Sequence, residues 1–169
     1  MIVLIPILYF VAIKIQGHAL VFDLTDHDNF SYKKNGRQVS KGDTLNIFKE
    51  FDFENGHWKV YVLLDRDDMS DINLEMDRWY SYCQTDVSIL KEMQSQWRFV
   101  FTGEDLATVT NQLLLIKDGK LMFRSAIVVD KNSMGLQNEK FGWIESIDSN
   151  KMAETLKKFR RDYFPVILR

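Results

Sequence analysis

Two largely apolar runs meet at Asn55-Gly56, and that dipeptide constrains the fold of this chain more than any other feature. In residues 44–53, Leu45, Ile47, Phe51 and Phe53 share one parity. In residues 57–64, Trp58, Val60, Val62 and Leu64 share one parity. Asn and Gly both tolerate the positive φ of a type I′ turn, whose twist matches that of paired strands. A hairpin over residues 44–64 is therefore expected. Asp118-Gly119 is a second signal of the same kind, between apolar residues 112–116 and 120–129. There Leu121, Phe123, Ser125, Ile127 and Val129 are expected to face the core. Shorter strands are expected at residues 20–24 and 98–101, and a small hairpin at residues 32–39 around Asn35-Gly36.

Helical spacing appears in three places. Ile72, Met76, Trp79 and Cys83 step by four, three and four, with Ser70 or Asp71 as a cap. Val87, Leu90, Met93 and Trp97 form a second stripe after Thr85 or Asp86. Met152, Leu156, Phe159 and Tyr163 form a third, starting near Ser149 or Asn150 and closed by Pro165. Residues 131–140 read as a polar loop containing Gly135, and residues 141–144 as a short aromatic strand. The expected fold class is α+β: an antiparallel β-sheet built from hairpins, with two to three helices packed on one face. One such domain is expected over residues 20–169, because no Pro-rich or Gly/Ser-rich linker interrupts it.

Residues 2–13 are apolar apart from Pro6, and Lys14 ends the run. The run is shorter than the ~20 residues of a membrane-spanning helix and suits the core of a signal peptide. Gly17-His18-Ala19 offers small residues for cleavage after Ala19. Residues 1–19 are thus expected to be a signal peptide or membrane anchor, although no Lys or Arg precedes the run. The location would then be periplasmic, secreted or tethered to the membrane. The competing expectation is a buried first strand in a cytoplasmic protein, since the run is rich in β-branched residues. Cys83 is the single cysteine, so an exported form would have to be stable without an intrachain disulfide.

Net charge is −2 and the charges are interspersed. That pattern argues against nucleic-acid binding, which needs clustered cations. The one basic cluster, Lys157, Lys158, Arg160 and Arg161, is expected to be the solvated end of the last helix, where cations suit the dipole.

The chemistry-bearing residues are sparse. Asp65, Asp67 and Asp71 resemble a thin calcium loop, but Met69 and Ser70 replace the loop's usual fifth and sixth residues and no Glu closes it. Calcium is the one cofactor this pattern suggests; otherwise none is expected. His18, His27 and His57 have no zinc spacing. Cys83, on an expected apolar helical stripe, reads as structural and not as a nucleophile. No nucleophile-elbow, P-loop or dinucleotide glycine pattern is present. Two segments look suited to recognition: residues 103–110, with Glu104, Asp105 and Thr108, and residues 135–143, with Gln137, Asn138 and Trp143.

These features favour a non-enzymatic binding protein of the bacterial envelope, such as an immunity or inhibitor protein that recognises another protein. Contact with a membrane would come only through the N-terminal segment. The alternatives are a small hydrolase or metal-dependent enzyme assembled from distant residues such as His27, Asp65, Asp67 and Glu104, and a cytosolic α+β domain.

Overall fold

The computed structural model describes residues 6–7, 11, 20–22, 39–65, 79–104, 109–130, 133–163 and 166–168. Among them, nine strands form one antiparallel sheet, accompanied by two α-helices. The strands are β2 (Thr44–Leu45), β3 (Trp58–Leu63), β4 (Ser81–Gln84), β5 (Phe99–Phe101), β6 (Gln112–Lys117), β7 (Lys120–Val129), β8 (Met134–Asn138), β9 (Gly142–Ser146) and β10 (Arg160–Arg161). Their order is β10-β4-β3-β6-β7-β8-β9-β5-β2. The helices are α1 (Val87–Gln96) and α2 (Ser149–Leu156). Apart from this sheet, β1 (Leu20–Phe22) pairs with β11 (Val166–Leu168), and that pairing is parallel.

The core lies between the sheet and the helices. Leu90, Met93, Met152 and Leu156 from the helices join Val60, Val62, Leu113, Leu115, Phe123 and Leu136 from the strands in one buried cluster. Each such side chain contributes about 1.5–3 kcal/mol on removal from water. The opposite face of the sheet is apolar too: Tyr61, Leu63, Leu114, Ile116 and Leu121 form a second buried cluster.

The two Gly-containing turns diverge. Lys117 pairs with Lys120 across Asp118-Gly119, and both turn residues have positive φ, 50° and 78°, as a type I′ turn requires. Register shifts between Leu115 and Ile116, so Leu121 points to the second cluster while Phe123, Ile127 and Val129 keep the expected orientation. The expected hairpin over residues 44–64 does not form. Thr44–Leu45 pairs with β5, and Trp58–Leu63 pairs with β4 and β6. Between them the chain makes a 3-10 turn, Ile47–Glu50, capped by the Asn46 side chain. The reason is legible in the run itself: Phe48 breaks the alternation, and Ile47, Phe48 and Phe51 follow helical spacing.

Three further expectations are corrected. Residues 81–84 are strand, so Cys83 does not lie on a helix; the aromatic run at residues 79–82 suits a strand, and β3 offers it an edge. The rest of that expected helix, from Ser70 or Asp71 to residue 78, lies outside the described residues, as do residues 32–38 of the expected hairpin. Residues 134–138 are strand β8 and not loop. Gly135 there is a close-packing residue: a Cβ would stand 2.2 Å from the Ile144 carbonyl oxygen and 2.4 Å from the Trp143 ring. Helix α2 ends at Leu156, seven residues before Tyr163. The Gln84 side chain takes the Lys158 carbonyl at 2.8 Å, and the chain turns away to add β10 to the sheet.

At the N-terminus, Pro6, Ile7 and Val11 are helical. No helix among the described residues is long and apolar enough to cross a membrane.

Candidate functional site

The most exposed aromatic side chain among the described residues stands beside β4 and β10. Tyr163 is 60% exposed. Its ring lies 5.1 Å from that of Trp79, tilted by 53°, and Tyr80 follows at 5.9 Å from Trp79. This group is held from the backbone. The Trp79 indole N–H donates to the Asp162 carbonyl at 2.8 Å, and the Asp162 N–H donates to the Ser81 carbonyl at 2.9 Å. A Tyr fixed this way presents a large amphipathic surface with little rotamer freedom left to lose on binding.

Exposed cations lie on the other face of these strands. Arg160 sits opposite Cys83, and Cys83 opposite Tyr61, so all three side chains share the sheet face away from the helices. Lys59 is on that face as well, two residues before Tyr61, and both Lys59 and Arg160 are exposed. Lys158 pairs with Glu92 of α1 at 2.6 Å. The helix-end reading therefore fits Lys157 and Lys158 but not Arg160 and Arg161, which belong to a strand.

The thiol in this group is chemically quiet. Burial, and then the Asp162 carboxylate, push Cys83 up to about 11, only partly offset by a hydrogen bond with Tyr61 and by Lys59. Burial likewise raises the Tyr61 phenol, followed by the influence of Cys83 and Asp162. Near neutral pH both groups are protonated, and a protonated thiol is a poor nucleophile.

The residues singled out from the sequence are scattered. Trp143 is only 2% exposed and stands against Gly135, so it is no surface anchor. Asn138 caps the β8–β9 turn, its Oδ1 accepting from the N–H groups of Lys140 at 2.9 Å and Phe141 at 3.2 Å. Gln137, half-buried, sits opposite Ala126 and Trp143 in the sheet. Glu104 is exposed, its N–H directed to the Thr102 hydroxyl at 3.3 Å, whereas Asp105 and Thr108 lie outside the described residues. The N–H of Asp65 donates to Asn111 Oδ1 at 2.7 Å, and Asp67, Asp71, His18 and His27 lie outside the described residues. Asp65 follows β3 and Glu104 follows β5, five positions apart in the sheet, or about 24 Å along it at about 4.8 Å per strand. His57 is exposed in the turn, its N–H bonded to Asp118 Oδ1 at 2.9 Å. No group of three or more His, Cys, Asp or Glu among the described residues is placed to hold a metal ion.

Sequence reasoning missed Tyr163 as a surface residue because helical spacing assigned it, like its partner Trp79, to a buried stripe. The available signal was the alternating, aromatic-rich run Trp79-Tyr80-Ser81-Tyr82-Cys83, which is strand-like. The chain matches no protein-family model, no curated protein and no solved structure.

Proposed function

We propose that this chain is a non-enzymatic protein-recognition domain of the bacterial envelope, of the kind that binds and restrains a toxin or enzyme. The observation that carries the recognition part is the exposed Tyr163, fixed against Trp79. Tyr, Trp and Arg are the residues most enriched at binding hot spots, and rigid anchors limit the entropy lost on association. The envelope part rests on the apolar run of residues 2–13 and the small residues before position 20.

The test is site-specific photocrosslinking in the native host, with a benzophenone side chain at position 163 and, as a control, at the exposed Lys120 in the β6–β7 turn. The expected result is a discrete protein adduct from position 163 alone. Equal labelling from both positions, or none from position 163, removes the recognition reading. Mass spectrometry of the mature N-terminus addresses location: soluble protein retaining Met1 removes the envelope reading.

A further inference from the structure

We infer that Asn55-Gly56 is a self-modifying site: Asn55 converts through a cyclic imide to aspartate and isoaspartate, and the Asp52 carboxylate sets the rate. Asn55 and Gly56 are both exposed. The nucleophile is the Gly56 nitrogen. Its N–H donates to no acceptor among the described residues, and glycine has no Cβ to shield it. The peptide carbonyl between the two residues accepts the Trp58 indole N–H at 3.0 Å. That oxygen carries much of the charge once the Gly56 nitrogen loses its proton, so the indole stabilises the reactive anion. Lys117 and Asp118 act on this anion in opposite senses; their side chains lie 2.6 and 2.7 Å from where a Gly56 Cβ would stand. The leaving group is restrained. The Asn55 side-chain amide donates to Asp52 Oδ2, while Asp52 Oδ1 takes the Glu54 N–H at 3.1 Å. A carboxylate fixed at both oxygens pins the Asn55 side chain and opposes the rotation that brings its Cγ over the Gly56 nitrogen.

The Gly56 nitrogen gives its proton to solvent hydroxide and attacks Asn55 Cγ. The new C–N bond closes the imide ring. The Cγ–Nδ2 bond then breaks, and ammonia leaves with a proton taken from water. Water opens the ring at either carbonyl. One opening leaves aspartate; the other leaves isoaspartate, in which the main chain runs through the side-chain carbon. In sum, an amide and water become a carboxylate and ammonium. The new carboxylate has no N–H to offer Asp52, and the two like charges repel, so the restraint does not re-form. The isoaspartate product also lengthens the chain ahead of His57 and Trp58. It thereby disturbs the Trp58 indole bond and the His57 bond to Asp118.

The experiment incubates the folded full chain in mildly alkaline buffer and follows position 55 by peptide mapping, with mass spectrometry that separates aspartate from isoaspartate. Both isomers are expected to accumulate, several-fold more slowly than at the same position in denaturant. Asp52→Ala is expected to speed the folded-state conversion by about three- to tenfold, the factor that one ordinary hydrogen bond gives. Asp52→Asn keeps an acceptor oxygen and is expected to restore much of the slow rate. Gly56→Ala is expected to slow the conversion strongly in the folded and the denatured chain alike, because the added Cβ shields the nitrogen. A thermal melt and the protection of β6–β7 amides verify that each variant is folded. Absence of product at position 55 overturns the inference, as does aspartate without isoaspartate, which marks direct hydrolysis. Equal rates in the folded and denatured chain, equal rates with and without Asp52→Ala, or Asp52→Asn as fast as Asp52→Ala each overturn it as well.

Discussion

Asn55-Gly56 and Asp118-Gly119 are chemically similar turns that build different structures. The second closes β6 onto β7 with positive φ at both residues. In the first, Gly56 alone has positive φ, 86°, and the turn is held by its own polar groups: Asp52 takes the Glu54 N–H at 3.1 Å and the Asn55 side-chain amide, while the Trp58 indole bonds the Asp52 and Asn55 carbonyls. The two turns also touch. His57 N–H donates to Asp118 Oδ1 at 2.9 Å, and the Asp118 N–H returns a bond to the His57 carbonyl at 3.0 Å. A dipeptide thus sets local φ, while the flanking residues decide whether the two arms pair. Residues 120–129 alternate well enough to form a strand, but residues 44–53 carry Phe48 on the wrong parity and fold it inward.

The largest test of this difference is Phe48→Ala. Phe48 is fully buried, edge-on to Trp97 at 5.4 Å and Phe123 at 6.0 Å, and near Phe99 at 6.2 Å. Truncating it is expected to cost about 3–5 kcal/mol in denaturant melts, as large-to-small changes at buried Phe do. If residues 44–53 instead formed an exposed hairpin arm, the loss would stay under about 1 kcal/mol, the range of ordinary surface changes.

The same logic explains what was legible beforehand. The β6–β7 hairpin and helix α1 could be read because their signals are local: Asp118-Gly119 in one, and the Asp86 cap with Leu90, Met93 and Trp97 in the other. Strand β4 and the end of α2 could not, because they depend on each other. Trp79 and Cys83 have helical spacing, yet β3 captures residues 81–84 as a neighbour, and Gln84 then fixes the Lys158 carbonyl and turns the chain into β10. Gly135 misled for another reason. Its role is to admit the Ile144 carbonyl and the Trp143 ring, a long-range contact that no local pattern encodes. The exposed Tyr163 and the strand residue Arg160 both arise from this coupled region, so one was assigned to a buried stripe and the other to a helix end.

Two glycine substitutions sharpen the comparison. A Cβ on Gly119 meets nothing within 4 Å, so Gly119→Ala bears only the strain of positive φ, about 1 kcal/mol. On Gly56, a Cβ would stand 2.6 Å from the Lys117 side chain and 2.7 Å from Asp118 Oδ2. Gly56→Ala is therefore expected to cost about 1 kcal/mol more than Gly119→Ala, since it also disturbs the Asp118 bond to His57. Equal losses in thermal melts would show that the two turns are independent. Asp118→Ala removes that bond and places an Ala at positive φ; a loss of about 1–2 kcal/mol is expected, with faster amide exchange at His57.

The smallest effect concerns pH and separates the two turns electrostatically. Asp52 is exposed, and hydrogen bonds from the Asn55 side chain and then the Glu54 N–H hold its carboxyl below the ordinary value of 3.8. These donors favour the ionised form, so the group binds its proton less readily folded than unfolded. The contribution to the Asn55-Gly56 turn is present above the unfolded pKa and disappears as pH falls through the lower folded one. Carbon-detected NMR should place the Asp52 midpoint below 3.8, and Asn55→Ala should move it upward by removing the largest cause. Exchange at the Glu54 amide should rise over that acidic window while amides of the β6–β7 ladder stay protected, because their turn is closed by strand pairing and not by a carboxylate. An Asp52 midpoint at or above the ordinary value, or simultaneous loosening of both turns, would show that the Asn55-Gly56 turn is held by its packing on Asp118-Gly119 alone.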